Sequence, residues 1–191
     1  MNSITYFNAY KKTVYSTIES LNHQEIEKFT DLLVDAYKNQ KFVFVIGNGG
    51  SAANASHFAQ DLAKGTKKNP EQTKRLKAMS LTDNLPFITA QGNDEGYESI
   101  FEQQLRTFAS PGDLLISISG SGNSPNIIKA VEWANNHGLI TIGITGFDGG
   151  KLKKTAHHSV NVVLDDMCTS ESIHSIIFHY VILDLREKLK E

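Results

Sequence analysis

Apolar and polar residues follow two different periods along this chain. Over 4–21 and 24–39 the apolar positions recur at helical spacing, and Phe29, Leu32, Leu33, Val34 and Ala36 share one face of the second segment, as an amphipathic helix requires. The run Phe42, Val43, Phe44, Val45, Ile46 is too short for a helix and rich in β-branched and aromatic residues, the pattern of a buried strand. It breaks into Gly47, Asn48, Gly49, Gly50 and Ser51, after which 52–62 resumes a helical pattern. The same succession returns at 113–119, a strand, followed by Gly120, Ser121, Gly122, Asn123 and Ser124 and by a helix over 125–136. Residues 139–145 predict another strand, closed by Gly146, Phe147, Asp148, Gly149 and Gly150, with a further strand at 160–164 and a closing helix over 170–189. Between the two glycine loops, 64–75 reads as a polar loop, 76–81 as a strand and 91–97 as a polar turn.

Strands alternating with helices predict a three-layer α/β/α sandwich around a mainly parallel, five-stranded sheet. Nothing in the composition marks a linker, so 1–191 reads as a single domain, with helices over 1–40 preceding an α/β core over 41–191. In such sheets ligands collect at the carboxyl ends of the strands, where both glycine loops fall.

Composition narrows the function. A formal net charge of −2 offers no electrostatic footprint for nucleic acid or anionic membranes. No apolar run approaches the ~18 residues of a membrane span, and Met1 to Tyr6 has neither the basic region nor the apolar core of a signal peptide. The single cysteine, Cys168, excludes an internal disulfide framework and fits a reducing, cytoplasmic setting; outside any Cys-x-x-Cys pair it reads as a buried or incidental thiol.

Glycine permits positive φ and close approach of backbone to ligand, and the following helix N-terminus favours an anion. Ser119 to Ser124, dense in small donors, suits a compact phosphate monoester, although a Gly/Ser turn also serves simply to join strand to helix. A dinucleotide fingerprint is excluded by the missing third glycine after Gly47, and a P-loop by the lack of Gly-Lys-Ser/Thr. His57 and Asp61 stand at i and i+4 on one helix face, a spacing shared by metal-ligand pairs and by ordinary surface ion pairs. On the last helix, Glu171 and His179 are about 80° apart in rotation and roughly 12 Å apart in rise, a stretch for one metal in one chain. His174 lies about 140° around from His179 and points elsewhere. His179, among Ile176, Ile177, Phe178 and Val181, reads as interior-facing, and His157 and His158, before a strand, as structural.

Several of these runs together resemble a known family. Gly47 through Leu62, Gly92 to Asp94, Ile118 to Ser124, Thr145 to Gly150, and Ile173-His174 followed by His179 are similar to the signatures of the phosphoheptose isomerases, members of the sugar isomerase (SIS) domain family. The resemblance covers nearly the whole chain. It implies a flavodoxin-like fold and a homotetramer whose active sites are shared between subunits and contain Zn2+. It also implies conversion of sedoheptulose 7-phosphate to D-glycero-D-manno-heptose 7-phosphate, the first step toward nucleotide-activated heptoses. Carried over by position, Asn48, Gly49, Gly50, Ser51, Asn93, Asp94, Ser119, Gly120, Ser121, Ser124 and Glu171 would bind the sugar phosphate. His57, Asp61, Glu171 and His179 would surround the metal, with Asp61 and His179 moving protons. Two positions depart from the family pattern: Asp61 replaces a glutamate and Glu171 a glutamine. Two alternatives stand beside this reading, a non-catalytic regulator of replication initiation acting through a protein partner, and an isomerase or sensor of another sugar phosphate.

Overall fold

In the computed structural model, residues 3–190 are described; Met1, Asn2 and Glu191, the ends of the expected domain, lie outside the described residues. The chain runs α1 (Ser3–Glu19), α2 (His23–Lys38), β1 (Phe42–Gly47), α3 (Gly50–Gln60), a π-helical turn (Asp61–Gly65), β2 (Lys77–Ser80) and α4 (Leu85–Asp94). A 3-10 turn (Tyr97–Ser99) leads to α5 (Glu102–Phe108), β3 (Leu114–Ser119), α6 (Pro125–Asn136), β4 (Ile140–Thr145), α7 (Gly150–Thr155), β5 (His158–Asn161) and α8 (Met167–Lys188).

The five strands form one sheet in the order β2-β1-β3-β4-β5, and every pairing is parallel. Strand alternation divides the core. Val43, Val45, Ile116 and Ile118 face α2, α3 and α8, whereas Phe44, Ile46 and Leu115 face α5, α6 and α7, because successive strand side chains point to opposite faces. Strand order reverses between β1 and β3, the switch point where such sheets open a crevice. Both expected phosphate loops leave the sheet there.

Local chemistry sets several element boundaries. Asn22 caps α2 by accepting from the amides of Gln24 and Glu25. Asp166 caps α8 through the Thr169 amide at 2.7 Å, so that helix starts three residues earlier than its apolar pattern predicts. The expected polar turn at 91–97 is corrected: 91–94 is the last turn of α4, which Asn84 caps through the Phe87 amide and which carries a proline in its first turn. The expected strand at 160–164 is corrected to His158–Asn161, after which Val162 bonds back to the Thr145 carbonyl and the chain leaves the sheet. α1 stays largely exposed, with Ile4, Tyr6, Phe7 and Tyr15 in solvent. No helix among the described residues is long and apolar enough to cross a membrane.

Candidate active site

The cleft at the switch point is built mostly from backbone. β1 ends at Gly47, where a Cβ would lie 2.5 Å from the Ser51 carbonyl oxygen, so only glycine allows α3 to start so close to the strand. Gly49, at φ +54°, turns the chain into α3. After β3, Gly122 at φ +65° lies against the Gly149 carbonyl. Between the two loops is a cleft of about 280 Å³ lined by Asn48, Gly49, Gly50, Ser51, Ser119, Gly120, Ser121, Ser124 and Glu171, with Ile118 and Met167 completing the wall. Nine of the eleven residues expected to bind substrate therefore meet in one place. The Ser119 and Ser124 hydroxyls are 3.4 Å apart.

Glu171, in the first turns of α8, lies directly over Gly50, and Ser51 Oγ donates to its Oε1 at 3.4 Å. Asn54 Nδ2 donates to the Glu171 carbonyl at 3.1 Å, and Ser175 Oγ donates to Asn54 Oδ1 at 2.6 Å. These contacts lay α3 and α8 side by side in the same direction.

At the far end of that pair His57, Asp61 and His179 converge. Nε2 of His57 and of His179 lie 3.4 and 3.9 Å from Asp61 Oδ2, and the two imidazoles meet edge-on with centroids 5.1 Å apart. One donor atom from each residue lies within 4.8 Å of the others. Bond lengths of about 2.0–2.1 Å to zinc place tetrahedral donors about 3.3 Å apart, so the cluster fits such an ion with little adjustment. Two imidazoles and one carboxylate leave a fourth position open, the arrangement of catalytic sites. Glu171 is not in this cluster; it belongs to the cleft.

The interior-facing expectation for His179 is corrected, since its side chain is 57% exposed. α8 docks through Ile173, Ile177, Val181 and Leu185, which turns His174 inward and His179 outward. His174 is fully buried. Its Nε2 donates to the Thr145 carbonyl at 3.0 Å, and Nδ1 has no partner among the described residues. Burial pushes its pKa down to about 4, against a smaller upward pull from that hydrogen bond. Asn93 and Asp94 do not line the cleft; they sit at the exposed end of α4, where Asn93 Nδ2 donates to Asp94 Oδ1 at 2.8 Å. Cys168 is exposed. His158 opens β5, with its pKa lowered first by burial and then by Lys28 and His157.

Three residues absent from the sequence-based set bear on the cleft. Met167 packs on Gly120. Asn126, 2% exposed, faces Asn48 amide to amide, and Tyr97 donates its hydroxyl to Asn48 Oδ1 at 3.0 Å. The available signal was an amide in the first turn of the helix after the second loop. A wider depression of about 520 Å³ beside Phe147, Asp148, Val163, Leu164 and Asp165 holds none of the expected residues, so the chemistry and not the volume marks the site.

Known proteins give this geometry a context. Residues 5–146 match the SIS domain model. The chain is 38% identical to the phosphoheptose isomerase of Aliarcobacter butzleri over 92% of its own length and 90% of the relative's. It is 40% identical to that of Geotalea uraniireducens, over 86% and 85%. Among solved structures, the phosphoheptose isomerase of Neisseria gonorrhoeae superposes with a TM-score of 0.87 at 28% identity, covering 96% of this chain and 97% of that one. With a glycine-loop cleft at the sheet's switch point and this likeness along nearly its full length, the chain belongs to the SIS domain family, within its phosphoheptose isomerase branch.

Proposed function

We propose that this chain is an aldose–ketose isomerase that interconverts sedoheptulose 7-phosphate and D-glycero-D-manno-heptose 7-phosphate. The observation that carries the reading is the meeting of nine expected binding residues in one cleft. The phosphate group sits on the second loop, where the hydroxyls of Ser119, Ser121 and Ser124 stand before the N-terminus of α6 and its favourable dipole. The first loop, with the Glu171 carboxylate over Gly50, repels a dianion and suits sugar hydroxyls. Asn93 and Asp94, outside the cleft within this chain, would approach the sugar from the α4 end, as the family pattern implies.

Asp61 takes the proton from the carbon beside the carbonyl and returns it to the neighbouring carbon, while His179 moves the proton between the two oxygens. A Zn2+ ion would be held by His57, Asp61 and His179; the further ligand that the family pattern implies, Glu171, lies in this chain's cleft and would join them only from a second copy. When bound, it supplies Lewis-acid stabilisation of the charge developing on the sugar oxygens. Asp61 has two carboxylate oxygens: Oδ2 faces both histidines, and Oδ1 is the one that takes the proton.

Spacing supports a site shared between chains. From Gly50 to Asp61 the rise along the helix is about 16 Å, more than the extended length of a seven-carbon chain. That separation supports a site in which a second copy brings the missing half. The exposed face of α1 and the stripe Ile176, Tyr180, Leu183 on α8 offer the surface for a homotetramer. An exposed free thiol at Cys168 suits a cytoplasmic enzyme.

Incubation with sedoheptulose 7-phosphate in deuterated water should place deuterium on the carbon that receives the proton. Absence of turnover with every divalent metal supplied would overturn the reading. A thermal-shift screen of heptose, hexose and pentose phosphates, with and without zinc, separates it from a sensor of another sugar. Stabilisation by none of these ligands would favour the partner-binding regulator.

A further inference from the structure

Asn48 closes the first glycine loop, and all but one of its side-chain bonding positions face protein. Asn126 Oδ1 accepts from the Ile127 amide at 3.0 Å; a backbone N–H only donates, so this contact fixes which end of the Asn126 amide is oxygen. The orientation propagates. Asn126 Nδ2 donates to Asn48 Oδ1, and Asn48 Nδ2 donates back to Asn126 Oδ1, both at 2.9 Å. Tyr97, whose hydroxyl is the third group in the set, donates to Asn48 Oδ1 at 3.0 Å. Asn126 belongs to the turn that follows the second loop, and Tyr97 to the segment that follows Asn93 and Asp94. The three side chains thus bind the two glycine loops and the end of α4 to one another.

We propose that Asn126 and Tyr97 are positioning residues for sugar-phosphate binding, acting through Asn48 to set the spacing of the two loops and to hold the α4 end over the cleft. The proposal rests on the cleft's taking a sugar phosphate. Asn126 is buried, so its amide cannot exchange this partner for water, and a lost donor leaves Asn48 Oδ1 short of a bond. Tyr97 is largely exposed and contributes little to the core, so its hydroxyl can be removed without disturbing the fold. With its proton committed to Asn48, the Tyr97 oxygen presents lone pairs outward, where a sugar hydroxyl can donate.

The test uses the full-length protein and its Tyr97→Phe and Asn126→Asp variants. KM and kcat are measured with sedoheptulose 7-phosphate, Kd with inorganic phosphate, and Tm in parallel. Loss of one hydrogen bond corresponds to a change of about five-fold. Tyr97→Phe should raise KM by about that factor with kcat and Tm little changed. Asn126→Asp, which sets a carboxylate against an acceptor, should raise both KM and the phosphate Kd by at least as much, and the double variant should fall short of the product of the two effects. Unchanged KM in Tyr97→Phe overturns the proposal, as does an Asn126→Asp protein that loses Tm but binds phosphate as the wild type does. Should Asn126→Asp fail to fold, Tyr97→Phe alone decides. A wild-type protein that neither binds nor turns over the sugar phosphate would instead remove the reading on which the proposal stands.

Discussion

The two ends of the α3–α8 pair are held by different means. At one end the cleft is shaped by backbone: Gly47, Gly49 and Gly122 occupy positions where a side chain would collide or strain the chain, and Asn126 locks the loops together. At the other end His57, Asp61 and His179 are brought near one another by side chains alone, with both histidines more than half exposed. A cleft of the first kind is preorganised before any ligand arrives, and an exposed cluster of the second is ordered by what it binds. Between them, facing the opposite way, His174 pins α8 to the end of β4.

Experiments on each end should separate these roles. The largest effect belongs to Asp61→Asn, which should lower kcat by about 10³-fold, the scale of a lost general base, while leaving the phosphate Kd within about two-fold, as a group outside the cleft should. Equal loss of phosphate binding would mean that the two ends are not distinct. Next is the pin between them. The His174 pKa is lowered in the fold to about 4 from 6.5, so between these values the unfolded chain binds the extra proton. Stability is then complete above pH 6.5 and falls as pH drops toward 4, by about 3 kcal/mol in all. Urea unfolding across this range should show that slope, and His174→Gln should flatten it.

A smaller effect distinguishes the exposed cluster. Zinc at a hundred times its Kd should stabilise the wild type by about 2.7 kcal/mol, a rise in Tm of roughly 5–10 °C for a chain of this length. His57→Ala should abolish the rise; an undiminished shift would place the ion elsewhere. The smallest change falls on the backbone-built end. Gly122→Ala, which forces a side chain onto positive φ and against the Gly149 carbonyl, should cost about 2 kcal/mol of stability and weaken phosphate binding while sparing the zinc response.

Much of this was legible in the chain because its causes are local. A strand that ends in glycines before a helix is a backbone requirement written in adjacent residues, and so the cleft residues from Asn48 to Ser51 and from Ser119 to Ser124 were read in place. The last helix shows where such reading stops. Helical period fixes that His174 and His179 point in different directions, but not which of them faces the sheet, and the apolar neighbours of His179 pointed the wrong way. Asn84 as a cap made helix out of 91–94, where composition alone suggested a turn. Asn93 and Asp94 follow only from the family resemblance, and within one chain they stay outside the cleft.

By itself the sequence determined the alternation of strands and helices, the two loops at one edge, and the pairing of His57 with Asp61 on one helical face. Each follows from residues within a few positions of one another. Only the tertiary structure decided that Glu171 lies over Gly50, that Asn126 clasps Asn48, and that His179 completes the cluster from outside the core. Those contacts join residues 78 to 122 positions apart, and their geometry is set by how α6 and α8 pack on the sheet, which no local pattern encodes.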